Sequence, residues 1–295
     1  MRPVAIRTEI EFDMSYDLFF QSRTGASDND VLAYFRERQF YTVEENRAYY
    51  GNDDTGVYFG LEVGNRDCPG FPIALNINYC RPSYFILEAA PAIKAFVEAL
   101  NLAVSDPQGA MTSGQFDERA MTATWNKGNI AATREIQNAS ADQDTFDLPT
   151  ETLKHAWHWN FNRARLQESV GESRFVPLIM FANIEGTTIT SAVWPDAIPA
   201  VLPKVDHLCI SRKDLAPRKL FSKEPDVTFV AWSKAEPLLL KYGTADQRGT
   251  LVLSYEVPPK EIASFIRKLP EEQRTTLRLF PDRVMDREIV HGSRG

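Results

Sequence analysis

Residues that commonly announce chemistry are scarce in this chain: 295 residues hold three cysteines, four histidines and fifteen dispersed glycines. Cys68, Cys80 and Cys209 are odd in number and widely spaced, with no CxxC pair, which excludes a zinc ribbon or a redox dithiol. Reduced, buried thiols in a cytosol are the expectation. Neither GxGxxG nor GxxxxGK occurs, so no loop is suited to cradle a nucleotide phosphate. Gly-x-Ser-x-Gly, Ser-x-x-Lys and a Cys set near a His are also missing as nucleophile signatures. No stretch reaches the ~18 apolar residues of a membrane span. Arg2, Arg7, Glu9, Glu11 and Asp13 interrupt the first residues where a signal core would lie. A cytoplasmic protein without membrane contact is therefore expected. Excess positive charge is lacking too: 33 Lys and Arg against 40 Asp and Glu leave a net charge of -7, a poor match to nucleic acid.

What is present is material for a core. Hydrophobic residues make up 43%, aromatics 11% and charged residues 25%, the balance of a folded globular chain. The length suits one large domain or two ordinary ones. Period-two alternation marks strands at Met14–Phe20, Val57–Val63 and Ile73–Tyr79, with Tyr41–Tyr50 extended and Ile6–Phe12 alternating well enough for another. Ser27-Asp28-Asn29-Asp30 supplies cap groups for a helix over about 28–38, and Tyr84–Leu87 reads as a short strand. Pro91 opens a helix whose stripe is Ile93, Phe96, Val97 and Leu100.

Met121, Trp125, Ala132 and Ile136 share a face of a long helix, with Gly128 beside them for close approach. Leu153, Ala156, Trp157, Phe161 and Ala164 share a face of the next. Trp125, Trp157 and Phe161 are expected to be buried. Beyond residue 170, a hairpin around Glu185-Gly186, strands at Val205–Ile210, Val227–Trp232 and Leu251–Val257, and short helices at Lys234–Tyr242 and Lys260–Lys268 follow. The fold class is α+β: a helix-backed antiparallel sheet over residues 1–110, a helical pair over 111–170 and a second α/β region over 171–295.

Several constellations suggest chemistry and mostly fall short of it. His155 and His158 sit at i, i+3 on a helix but lack a third ligand and the zincin glutamate, so they read as helix histidines beside tryptophans. No metal or cofactor is expected. The run from Arg212-Lys213 to Arg218-Lys219 and Lys223 is diluted by Asp214, Glu224 and Asp226 and reads as a solvated loop. Asp53 and Asp54 lie in Asn52-Asp53-Asp54-Thr55-Gly56, turn chemistry that also presents carboxylates. Trp194-Pro195-Asp196-Ala197-Ile198-Pro199 gives a rigid, partly apolar loop in which the Trp either makes contacts or plugs the core.

Met14-Ser15-Tyr16-Asp17-Leu18-Phe19-Phe20, Asn52-Asp53-Asp54-Thr55-Gly56-Val57-Tyr58-Phe59 and Asn76-Ile77-Asn78-Tyr79 with Arg81-Pro82 together resemble a bacterial family of cytosolic proteins. That family opens with a Ser-Tyr-Asp-Leu-Tyr/Phe-Phe strand and is grouped with immunity proteins of polymorphic-toxin systems. Phe175-Val176-Pro177 and Trp194-Pro195-Asp196 extend the likeness over residues 14 to about 240. The segment before Met14 departs from the family's opening, leaving Met1 and Met14 as alternative starts. The resemblance implies no catalytic residue. It implies a protein that binds a cognate toxin, and the acidic balance suits a basic target such as a nuclease. Asp53, Asp54, Tyr58, Trp194 and Asp196 are the expected partner contacts. A cytosolic hydrolase is the alternative, because a carboxylate pair brought together by folding leaves no spacing to search for.

Overall fold

The computed structural model describes residues 14–112, 114–139, 145–216, 226–272 and 274–292. Among them lie seven α-helices and sixteen strands, an α+β fold built on antiparallel sheet. The expected strand at Ile6–Phe12 and the basic residues Arg218, Lys219 and Lys223 lie outside the described residues.

The chain divides into two compact units. The first draws on residues up to Gly51, Val57–Arg81 and the stretch from Phe85 to the end of the first long helix. The second takes Asn52–Gly56, Pro82–Tyr84 and the described residues from 145 onward.

In the first unit the elements run β1 (Ser15–Ser22), α1 (Asp28–Arg36), β2 (Tyr41–Glu44), β3 (Arg47–Asn52), β4 (Val57–Val63), β5 (Ile73–Asn78), α2 (Tyr84–Ala99), β6 (Leu102–Ser105) and α3 (Glu118–Ala139). The six strands order as β2-β3-β4-β5-β1-β6. β1 lies antiparallel between β5 and β6, with Leu18 opposite Leu75 and Phe20 opposite both Ile73 and Val104. Strict alternation buries Tyr16, Leu18 and Phe20 on one face, where α2 delivers Phe96 and α1 delivers Phe35. The rings of Phe20 and Phe35 lie 5.6 and 4.8 Å from that of Phe96.

Ser27 caps α1 as expected: its hydroxyl accepts from the Asp30 amide at 3.3 Å, and its own amide donates to the Asp30 carboxylate at 2.8 Å. Tyr84–Leu87 is not a strand but the first turn of α2, and Pro91 falls inside that helix. Burial of Phe85, Ile86, Ala89, Ala90, Ile93 and Phe96 outweighs the hydrogen bond that proline removes.

The second unit contains β7 (Phe146–Leu148), α4 (Thr150–Val170), β8 (Ile179–Ile184), β9 (Thr187–Val193), β10 (Val201–Leu202), β11 (His207–Arg212), β12 (Asp226–Ala231), α5 (Trp232–Leu239), β13 (Gly243–Ala245), β14 (Leu251–Leu253), α6 (Lys260–Lys268), β15 (Thr276–Leu279), β16 (Val284–Asp286) and α7 (Arg287–Val290). Its main sheet orders as β12-β11-β9-β8-β15, with β9 and β11 parallel and the other pairs antiparallel. The expected hairpin at Glu185-Gly186 joins β8 to β9, both turn residues having positive φ.

The two long helices expected as a pair fall in different units. α3 buries Met121, Trp125 and Asn129. The Asn129 amide clamps Arg81, accepting from its N–H at 3.1 Å and donating to its carbonyl at 2.8 Å. Gly128 permits the expected close approach, since a Cβ there would run into the Tyr79 ring. α4 instead clamps β8: Asn160 accepts from the Ile179 amide at 2.8 Å and donates to its carbonyl at 2.9 Å. That face of α4 buries Leu153, Ala156, Trp159 and Asn160. Trp157 is consequently half-buried and Phe161 is 43% exposed, against expectation, while Trp125 is buried as expected.

Candidate protein interface

The acidic turn Asn52–Gly56 is held from both sides. The Asn52 carbonyl accepts from the amides of Thr55 at 3.2 Å and Gly56 at 2.7 Å, and its side-chain oxygen accepts from the Asp54 amide at 3.2 Å. That is the local bonding for which Asn-Asp-Asp-Thr-Gly is suited. Gly56 has φ +74°, and a Cβ on it would stand 2.9 Å from Cβ of Pro281. The Tyr84 hydroxyl lies 3.0 Å from the Pro281 carbonyl and 3.3 Å from that of Thr55. Arg163 on α4 donates through Nε to Asp54 Oδ2 at 3.0 Å.

These contacts fix Asp54 and leave the neighbouring Asp53 exposed. Phe280, the residue before Pro281, is 69% exposed. The turn is thus fixed, with an outward carboxylate and an exposed aromatic ring beside its support.

The other expected contact residues serve different ends. Trp194 is fully buried, and its indole N–H donates to the Ile198 carbonyl at 2.9 Å, so it plugs the core and offers no contact surface. Asp196, at φ 41° and ψ 31°, uses its carboxylate to accept from the amides of Lys213 at 2.9 Å, Asp214 at 3.1 Å and Leu215 at 3.0 Å. It braces the loop after β11. Tyr58 belongs to the first unit. It is half-buried, accepts from Arg81 Nε at 2.8 Å and meets the Phe85 ring edge-on at 5.6 Å. Asp53 and Asp54 thus share one turn, while the bonds of Tyr58, Trp194 and Asp196 run to other elements.

Sequence reasoning missed Arg163 and Phe280. Neither lies near residue 53 in sequence, and only the docking of Pro281 on Gly56 and of Arg163 on Asp54 brings them to the turn.

His155 is half-buried and His158 exposed. Burial holds the His155 imidazole below its usual pKa, with an opposing contribution from its bond to the Lys204 backbone. Among the described residues no group of three or more His, Cys, Asp or Glu side chains is placed to hold a metal ion. No helix among them is long and apolar enough to cross a membrane. In the first unit an open groove of about 560 Å³ is lined by Ser22, Gly25, Asn65, Arg66, Cys68 and Gly70, among others. The Cys68 thiol donates to Ser105 Oγ at 3.6 Å, and no carboxylate or imidazole among the described residues lines the groove. No family model, no curated protein and no solved structure matches this chain.

Proposed function

We propose that this protein neutralises a cognate bacterial toxin in the cytoplasm by forming a stoichiometric complex, as an immunity protein does. One observation carries the reading: Asp53 stands exposed on a turn immobilised by Arg163, Tyr84 and Pro281, with exposed Phe280 beside that support. Preorganised contact residues lose little entropy on binding, and a rim carboxylate steers a basic partner. The net charge of -7 adds long-range attraction to such a partner, of which a nuclease is the kind most in keeping. Blocking an enzyme's active site requires roughly 1,200–2,000 Å² of total buried surface, most of the energy coming from a few anchors. Phe280 is the anchor favoured here.

Co-expression with the toxin encoded beside its gene is the test. The wild-type chain should restore growth and co-purify with the toxin in fixed stoichiometry. Asp53→Lys and Phe280→Ser should each weaken both effects while leaving the chain folded. A wild-type chain that neither protects nor binds that neighbour overturns the reading, and turnover of a small substrate by the isolated protein would put a hydrolase in its place.

A further inference from the structure

Residues 280–291 bind separate pieces of the second unit, two of which, 52–56 and 82–84, are short segments flanked in sequence by residues of the first. Pro281 packs on Gly56, and its carbonyl accepts from the Tyr84 hydroxyl at 3.0 Å. The Asp286 carboxylate accepts from the Ser83 amide at 2.7 Å and from the Ser83 hydroxyl at 2.6 Å. Arg287 donates to Asp147, and Glu288 accepts from the amide and hydroxyl of Thr150. These bonds close a ring: Asp286 holds Ser83, the adjoining Tyr84 holds Pro281, and the chain leads from Pro281 back to Asp286. The ladder beneath them is short, since β16 and β7 pair over three residues each, and two strands alone are marginal. Buried Val284, Met285 and Ile289 seat the segment, and fully buried Asp286 fixes it to Ser83 through charge-assisted bonds.

We propose that Asp286 is a positioning residue for the candidate interface: it latches residues 280–291 onto Ser83 and so fixes Pro281 against the Asn52–Gly56 turn, with Phe280 beside it. The consequence for binding rests on the toxin-neutralising reading, while the latch is read from the geometry alone. Opening the latch lets 280–291 detach as a local unit while the main sheet stays folded, because short peripheral segments open at less cost than the core. Asp53 and Phe280 then cease to be one preorganised surface. A partner that engages them must order the turn and the segment on binding, which lowers affinity without removing a single contact residue.

Hydrogen exchange read by mass spectrometry tests the latch on the full chain without a partner. The amides of Asp54, Thr55 and Gly56, all held by Asn52, are the reporters. Asp286→Ala should speed their exchange by about tenfold or more and leave the amides of β9 and β11 at wild-type rates. Ser83→Ala, which removes one of the two bonds, should give a smaller rise with the same pattern. Glu261→Gln, which breaks the exposed pair with Lys241 in the same unit, should give none. Unchanged exchange at 52–56 in both Asp286→Ala and Ser83→Ala overturns the proposal. An equal rise throughout the second unit in both variants overturns it too, since Asp286 would then support the whole fold. Set against the toxin encoded beside the gene, Asp286→Ala should bind more weakly than the wild type, and equal affinity overturns the positioning role. A wild-type chain that binds no toxin while exchange responds as expected supports the latch and removes the toxin reading.

Discussion

Arg212 and Asp226 form a buried bidentate pair, Nε to Oδ1 at 2.6 Å and the second guanidinium nitrogen to Oδ2 at 3.0 Å, at the register point where β11 meets β12. The remaining guanidinium nitrogen donates to the carbonyls of Ile266 at 2.9 Å and Leu269 at 2.7 Å, closing the C-terminal end of α6. Each guanidinium nitrogen of Arg212 has a partner, and the side chain is fully buried. Removing one member leaves the other as an uncompensated buried charge. Asp226→Ala should therefore lower stability by about 3–5 kcal/mol, and the urea midpoint reads the loss. Replacing both by Leu and Met of similar bulk should recover a substantial part.

This pair also shows what folding adds to sequence. Arg212 opens a run of basic residues that reads as a solvated loop, because its partner lies fourteen positions away and meets it only once the β11–β12 ladder forms. Where the controlling interaction was local, the sequence was readable. β4 alternates residue by residue from Val57 to Val63, and Ser27 caps α1 through a bond three residues long. Tyr84–Leu87 was misjudged because four apolar residues fit strand or helix alike, and what decides is burial of the whole of α2. At the candidate interface the turn was legible from its composition. Arg163, Tyr84 and Pro281, which immobilise it, were not, since packing alone brings them there.

Lowering the pH should weaken this fold before its carboxylates are protonated. Burial depresses the pKa of both His155 and His207, and among the described residues Nε2 of the first and Nδ1 of the second find no hydrogen-bond partner although both are buried. A protonated ring would place a second N–H donor where no acceptor waits. The unfolded chain binds those protons more readily than the folded one. The stability contribution is thus complete above the unfolded value near 6.5 and is lost as pH falls toward the lower folded values. Urea midpoints should drop between about pH 7.5 and about pH 5.5, and a His155→Gln, His207→Gln double variant should show a smaller drop.

Thiol reactivity should separate Cys209 from Cys68. Burial, reinforced by Glu272, pushes the Cys209 thiol up to about 11, and the residue is almost wholly covered. The thiolate is the reactive form. Iodoacetamide at mildly alkaline pH should leave Cys209 unmodified in the native state while alkylating Cys68, which is half-buried at the groove. Peptide mass mapping distinguishes the sites, and rapid labelling of Cys209 would mean that β11 opens readily.

Gly56 links the stability of the turn to its presentation of Asp53. Its φ of +74° disfavours any side chain, and Pro281 occupies the space a Cβ would need. Gly56→Ala should cost about 1–3 kcal/mol through strain and displace Pro281. Protection against the toxin should fall further than global stability alone explains, because the turn and the Phe280 segment are disturbed together. Thermal melting set beside growth rescue separates the two effects.

Trp194→Ala and Asp53→Lys should fail for different reasons. Trp194 is fully buried and its N–H serves Ile198, so truncation opens a cavity and orphans a carbonyl, at a cost of about 3–5 kcal/mol. Any loss of toxin protection should then track the loss of folded protein and should recover at lower temperature, where more of the chain is folded. Asp53 is exposed, and a lysine there meets no steric obstacle that would unfold the turn. Its melting temperature should match the wild type while protection falls at every temperature. The sign of the change matters as well as its site. If a basic partner faces the turn, Asp53→Asn should give an intermediate loss and added salt should narrow the gap between wild type and variant. Equal protection by Asp53→Lys and wild type at low salt would move the interface away from the 52–56 turn, and exposed Phe161 with half-buried Trp157 on α4, their rings 5.8 Å apart, would become the next surface to substitute.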